Sequence, residues 1–144
     1  MARRSRLLGT VLLGLLAGCS GTASTGVPSG PSNDVASVRL FDPLGVELTQ
    51  HMALFHGQTL RVRVRLYAAD GHEVTDVVDG ARVAFKFTPD SLATSASVSN
   101  QPLMRDVTPT ATSGTGGGLT VSLFVGADSV PTKAFGQFDV LVHS

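Results

Sequence analysis

Residues 58–67, QTLRVRVRLY, decide the fold class, because residues 60–66 within them alternate strictly between apolar and charged side chains. The apolar positions are Leu60, Val62, Val64 and Leu66, and the charged positions are Arg61, Arg63 and Arg65. A period of two is that of a β-strand, because successive side chains of a strand point to opposite faces. One apolar and one charged face predict an antiparallel strand with a core on one side and solvent on the other.

The same alternation recurs further along the chain, in residues 81–87 (ARVAFKF), 119–125 (LTVSLFV) and 136–143 (GQFDVLVH). Phe85 shares the apolar face of its segment, so we expect it to face Leu60, Val62 and Val64. Weaker patterns predict further strands at residues 35–41, 45–50, 73–77, 92–98 and 103–108. Glycine and proline interrupt the chain too often for helices, and residues 115–118, TGGG, are expected to form a flexible hairpin connection. The pattern predicts an all-β, antiparallel sandwich of about seven to nine strands.

A family resemblance covers residues 58–143. The segments LRVRVRLYAADGHEVTD, GARVAFKF and LTVSLFVGADSVPTKAFGQFDVLVH resemble the bacterial immunoglobulin-like repeats of invasin and intimin type. The positions that match are Asp70, Gly71, Val74, Val83, Phe85, Val121, Val140 and Val142. The resemblance implies an immunoglobulin-like sandwich in which these residues form the core and turns, and it implies no catalytic residue. The chain carries one such unit, whereas the family arranges its repeats in arrays.

The amino terminus has the pattern of an export signal. Arg3, Arg4 and Arg6 precede an apolar segment at residues 7–16. A basic region followed by an apolar core of about 7–15 residues is typical of a secretory signal peptide. The segment is too short for a membrane-spanning helix, which needs about 20 residues.

Residues 16–19, LAGC, resemble the lipobox of bacterial lipoproteins, and Cys19 is the one cysteine of the sequence. The resemblance implies that residues 1–18 are a cleaved lipoprotein signal peptide and that Cys19 carries a diacylglyceryl group. Several acyl chains on one residue give a stable membrane anchor. Ser20 follows the cysteine where aspartate would imply inner-membrane retention. The resemblance therefore favours the outer membrane in a bacterium that has one.

Residues 19–34 combine the lipidated cysteine with a serine-, glycine- and proline-rich linker, and residues 35–144 form the predicted domain. Such a linker cannot bury enough apolar surface to fold by itself. The 144-residue sequence has eleven basic and eleven acidic side chains, and three of the basic ones lie in the signal segment. The remaining excess of acidic groups excludes nucleic-acid binding by bulk electrostatics.

Four histidines give the sequence one candidate metal site. His51 and His56 flank a short apolar segment, His72 lies at a predicted Asp-Gly turn, and His143 lies near the carboxyl terminus. Imidazole ligands suit copper and zinc. Five residues of strand would place His51 and His56 on opposite faces, and no acidic residue or cysteine lies between them. Structural or solvated histidines are the simpler interpretation, and no cofactor is expected.

The arginines at positions 61, 63 and 65 form a second candidate site. Their guanidinium groups could bind an anion through paired hydrogen bonds. Alternatively they form a solvated face that pairs with carboxylates of a neighbouring strand, such as Glu73, Asp76 or Asp79. No nucleophile elbow, phosphate-binding loop or paired-carboxylate motif is present, so the sequence predicts no enzyme.

Two functions remain open from the sequence. The first is a lipid-anchored protein of the bacterial envelope whose immunoglobulin-like domain binds another envelope protein or a surface glycan. The alternative is a periplasmic lipoprotein that binds copper or zinc through His51, His56 and possibly His72.

Overall fold

The computed structural model describes residues 35–75, 80–127 and 129–144. The predicted signal peptide at residues 1–18 and the linker at residues 19–34 lie outside the described residues. Within the described ranges the chain forms strands and no helix. The strands are β1 (Val35–Phe41), β2 (Met52–Phe55), β3 (Leu60–Ala68), β4 (Arg82–Thr88), β5 (Ala93–Val98), β6 (Gln101–Pro109), β7 (Gly116–Phe124) and β8 (Lys133–His143). These eight strands confirm the predicted all-β class and the predicted number of strands.

The strands form two four-stranded sheets that pack as a sandwich. The first sheet has the order β1-β3-β6-β5, and the second has the order β2-β8-β7-β4. Five of the pairings between these strands are antiparallel, as the sequence predicts. The pairing of β2 with β8 is parallel, from Met52 opposite Val140 to Phe55 opposite His143. This pairing is the exception among the described strands, and local sequence could not predict it, because the direction of an edge strand depends on which distant strand it joins.

One apolar core lies between the sheets. Val62 and Val64 of β3 are buried on the first sheet, and Val83 and Phe85 of β4 are buried on the second. All four belong to the same cluster of buried residues. The alternating segments therefore point their apolar faces inward, as predicted. The charged faces of β3 and β4 point outward, which places Arg63 and Lys86 in solvent.

The strand predicted at residues 45–50 is replaced by a turn. The Asp42 side chain accepts hydrogen bonds from the backbone N–H groups of Leu44 and Val46, at 2.9 and 2.8 Å. Gly45 adopts a φ of 86°, a conformation that glycine reaches at little cost. Only a single bridge, between Phe41 and Glu47, pairs this segment with β1. The true strand, β2, lies a few residues later, in the segment between the two histidines.

The predicted strand at residues 73–77 is also not formed as such. Glu73 makes one isolated bridge to Tyr67, and the backbone of Val74 donates to the carbonyl of Leu66 at 2.8 Å. Residues 76 and 77 lie outside the described residues. The described part of this segment therefore runs back beside the end of β3 for a few residues without forming a strand.

The glycine-rich segment at residues 116–118 is part of β7, where the sequence predicted a flexible connection. Gly117 and Gly118 pair with Val140 and Asp139 of β8. A Cβ atom on Gly117 would collide with the carbonyl oxygen of Thr88 and lie 2.8 Å from Leu92 Cδ2. Glycine is needed here because another part of the backbone approaches closely. Gly117 thus meets a packing requirement within a strand, where the sequence predicted a flexible connection.

Candidate functional site

The arginine row lies on the outer face of the first sheet. Arg61 and Arg63 are exposed and Arg65 is half-buried. Outward-facing side chains of the two neighbouring strands, β1 and β6, lie beside these arginines, because directly paired residues of neighbouring strands share a face. Phe41 of β1 pairs with Arg63, and Asp106 and Met104 of β6 pair with Arg61 and Arg63. The face therefore combines cationic, aromatic and thioether groups.

Arg61 forms the best-defined ion pair of this face. Its Nε and Nη2 atoms donate to the two carboxylate oxygens of Asp106 at 2.8 and 2.9 Å. These two parallel hydrogen bonds hold the pKa of Asp106 below its ordinary value and raise the pKa of Arg61. Because this guanidinium is already engaged by a carboxylate, it is not available to a separate anion.

Arg65 and Arg39 are held mainly by aromatic rings. The Arg65 guanidinium lies 4.6 Å from the centre of the Phe41 ring, and that of Arg39 lies 4.7 Å from the centre of the Tyr67 ring. Their carboxylate contacts are longer, at 3.6 Å from Arg65 to Glu73 and 3.9 Å from Arg39 to Glu47. Guanidinium groups that lie over aromatic rings are held in place by them, and their positive charge stays accessible at the surface.

Arg63 differs from its neighbours. Within the described parts of the chain it forms neither an ion pair nor a hydrogen bond through its side chain. It lies beside Met104, to which it is paired across the β3–β6 ladder. The middle of the arginine row is thus an exposed cation without a local counter-charge among the described residues.

A groove opens next to Arg63, where β3 and β6 diverge. The ladder between the two strands ends at Arg63 and Met104, and the next residues of β6 toward its start are Leu103 and Pro102. Proline lacks the N–H group that a continuing ladder would need. The resulting groove has a volume of about 680 Å³. Its lining includes Arg63, Arg65, Glu73, Val74, Leu103 and Met104.

The sequence predicted the charged face correctly but only part of its pairing. Glu73 does contact Arg65, whereas Asp76 and Asp79, the other carboxylates named from the sequence, lie outside the described residues. Asp106 was missed as the partner of Arg61. The two residues are 45 positions apart, and no local pattern indicates which strand will lie beside β3.

The candidate metal ligands do not gather within the described residues. His51 and His56 flank the two ends of β2, and at about 3.3 Å per residue a strand of this length separates them by roughly 16 Å. His72 lies on the turn after β3, where its ring Nδ1 is 3.1 Å from Asp70. His143 stacks its ring against Phe55, with 5.4 Å between the ring centres. The described ranges contain no group of three or more histidine, cysteine, aspartate or glutamate side chains placed to hold a metal ion.

Cys19, the predicted lipidation site, lies outside the described residues. In the ranges that are described, no helix is long and apolar enough to cross a membrane.

The described part of the chain is a two-sheet β-sandwich. Its most distinctive surface is the outer face of the first sheet, which carries the arginine row and is called the arginine face below. Comparison with protein-family models, curated proteins and solved structures found no match.

Proposed function

We propose that this protein is a lipid-anchored protein of the bacterial envelope whose sandwich, of bacterial immunoglobulin-like type, is a non-catalytic binding module. Its binding surface is the outer face of the first sheet, and its partner is another envelope protein that presents acidic side chains. The observation that carries the assignment of the surface is Arg63, an exposed cation that has no ion pair among the described residues. It lies beside an open groove and between ordered aromatic and arginine side chains.

The residue types of this face support a protein partner. Arginine, methionine, tyrosine and phenylalanine are the types enriched at protein interfaces, and Arg39, Phe41, Arg63, Tyr67 and Met104 all belong to the face or its edge. Arg39 and Arg65 are already ordered over rings, so little conformational entropy is lost when a partner binds. An acidic partner would supply a carboxylate for Arg63, which has none within ion-pairing distance in the part of the chain that the structure describes.

The anchor is supported by the amino-terminal sequence. A basic segment, a short apolar segment and the residues LAGC precede a linker without large apolar side chains, and the linker leads directly to β1. Acyl chains on Cys19 would hold the protein to a membrane surface while the linker lets the sandwich reach a partner. A bacterium with an outer membrane would carry it there.

The anchor is tested by replacing Cys19 with serine. We expect Cys19→Ser to accumulate the unprocessed precursor and to lose incorporation of a palmitate analogue in a bacterial host. Ser20→Ala is the matched control and should be processed and labelled like the original protein. Equal labelling of the original and Cys19→Ser proteins would contradict the lipoprotein assignment.

The binding surface is tested by crosslinking in intact envelopes. We expect a discrete crosslinked adduct that Arg63→Glu abolishes and Lys86→Glu retains, since Lys86 is exposed on the outer face of the second sheet. Mass spectrometry of the adduct should identify an envelope protein with an acidic surface segment. An adduct that contains only carbohydrate would replace the protein partner by a surface glycan, and an adduct insensitive to Arg63→Glu would reject this surface.

A further inference from the structure

A second arginine, Arg105, occupies an unusual place in the sandwich. It pairs with Val62, whose side chain is fully buried, so Arg105 lies on the inner side of the first sheet. Its Nη1 atom donates to Ser97 Oγ at 3.1 Å, and its Nη2 atom donates to the carbonyl and hydroxyl oxygens of Ser95, both at 3.3 Å. Its Nε atom is buried and has no hydrogen-bond partner among the described residues. In the described ranges the cation therefore meets neutral acceptors and no carboxylate.

Such a placement is costly for a guanidinium. Burial disfavours the charged form and lowers the pKa of Arg105, with no opposing effect from a nearby carboxylate. None of the described acidic side chains lies within ion-pairing distance of it. Buried or half-buried charges in proteins are normally paired, because leaving water is otherwise uncompensated. The side chain thus carries a half-buried positive charge that no described carboxylate neutralises.

The guanidinium lines a pocket at the open side of the sandwich, between β4 and the β5–β6 hairpin. The pocket has a volume of about 270 Å³, and its polar lining consists of Arg82, Ser97, Asn100, Gln101 and Arg105. These side chains include two cations, two amides and one hydroxyl, and the described lining contains no carboxylate. All of them can donate hydrogen bonds. The pocket is therefore electropositive and rich in donors.

The second cation of the pocket is held in place by its own contacts. Arg82 Nη1 donates to the carbonyl of Gly126 at 2.7 Å, and the Arg82 guanidinium lies 4.7 Å from the centre of the Phe124 ring. These contacts fix the orientation of the group on β4 opposite the hairpin.

The hairpin beside this pocket is irregular. The β5 partner shifts from Arg105 opposite Ser97 to Gln101 opposite Val98, which leaves residues 102–104 without partners in β5. Asn100 completes the turn with a φ of 57°, which asparagine tolerates better than most residues. Bulges of this kind redirect side chains and often lie next to functional sites. Here Pro102 and Met104 of the bulged segment belong to the lining of the pocket.

We propose that this pocket binds a single oxoanion group, a carboxylate or a phosphate, through the guanidinium of Arg105. The group lies against the Arg105 guanidinium and neutralises its half-buried charge, while Arg82, Asn100 and Gln101 line the rest of the pocket. The site lies on the inner edge of the sandwich. It is independent of the membrane anchor and of the outer arginine face, so either proposal can fail without the other.

Calorimetric titration of the full-length chain in mild detergent tests the site. Inorganic phosphate and acetate are titrated separately at constant ionic strength maintained with sodium chloride. We expect saturable binding of one anion per chain for at least one of the two. Charge-assisted hydrogen bonds of this kind predict that Arg105→Gln weakens binding about tenfold or more. The preferred anion identifies whether the natural ligand carries a phosphate or a carboxylate group.

Lys86→Gln is the matched control, since it removes one positive charge from an exposed position outside the pocket and should leave the affinity unchanged. A second measurement guards against misfolding of the Arg105 variant. The bound anion should raise the thermal midpoint of the original protein and of Lys86→Gln, but not that of Arg105→Gln. The proposal would be overturned if the heat of injection depended only on the ionic strength. It would also be overturned if the original and Arg105→Gln proteins bound the anion with equal affinity.

Discussion

At the scale of single residues, the arginines of β3 show how neighbours decide the role of a side chain. Three identical residues on one strand face have three environments: Arg61 is paired with Asp106, Arg65 is stacked on Phe41, and Arg63 is open to solvent. The periodicity of the sequence places all three on the same face. Their availability for binding depends on the strands to either side.

The Arg61–Asp106 pair predicts a measurable shift in titration. Because the folded state lowers the pKa of Asp106, the pair stabilises the fold above about pH 4, the ordinary range of an unfolded aspartate. That contribution is lost as the pH falls through the lowered pKa. We expect Arg61→Ala to move the pKa of Asp106 back up toward its ordinary value, as followed by carboxyl-carbon NMR. Arg65→Ala, whose partner is Glu73, should leave Asp106 unchanged, and an unshifted Asp106 in Arg61→Ala would contradict the pairing.

Gly117 and Gly118 provide a second test at the residue scale. We expect Gly117→Ala to lower the free energy of unfolding by about 1–3 kcal/mol, because the new methyl group would overlap Thr88 and Leu92. Gly118→Ala is the control, since the nearest atom to its added methyl is Gln137 Cβ at 3.9 Å, and it should cost no more than about 0.5 kcal/mol. Urea denaturation measures both. Equal stability of the two variants would mean that Thr88 does not approach β7 as closely as described.

At the scale of the elements, the two sheets depend on the register of their strands. A shift of one residue in β3 or β4 would exchange the buried and exposed faces completely. One further contact ties the two sheets together. Lys133 of β8 donates to the carbonyl of Val35 of β1 at 2.6 Å. This hydrogen bond joins β8, in the second sheet, to β1, in the first.

A pair of substitutions tests this register. We expect Phe85→Ala to lower the free energy of unfolding by about 3–5 kcal/mol, because it leaves a cavity between the sheets. Arg63→Ala should change it by no more than about 0.5 kcal/mol, because Arg63 is exposed. Chemical denaturation measures the free energy of unfolding of both variants, with the same dependence on denaturant concentration applied to each. A larger loss for Arg63→Ala would mean that the inner and outer faces are reversed.

At the scale of the whole molecule, the eight strands described between residues 35 and 144 pack around one apolar core. About 110 residues are enough for one core without a metal or a disulfide bond. We therefore expect residues 35–144, expressed alone, to fold as a β-rich monomer with cooperative thermal unfolding. Far-ultraviolet circular dichroism and size-exclusion chromatography measure this. A spectrum dominated by helix, or a chain that does not unfold cooperatively, would contradict it.

The sequence by itself determined the features that depend on neighbouring residues along the chain. Alternation over seven residues predicts a strand and which side it buries, so β3, β4 and the inward position of Phe85 followed from local pattern. The number of strands followed in the same way, from the spacing of turn residues. The outward arginine face was also predictable, because a charged side chain on every second residue cannot enter an apolar core.

Only the tertiary structure decided the features that join distant parts of the chain. The parallel pairing of β2 with β8, the pairing of Arg61 with Asp106 and the need for glycine at position 117 each depend on a segment far away in sequence. The pocket at Arg105 likewise requires a bulge in one hairpin and a strand of the opposite sheet. Periodicity reports which side of a strand meets the core but not which strand lies beside it. The physical reason is that strand pairing is set by packing and backbone hydrogen bonds across the folded molecule, which a local pattern does not contain.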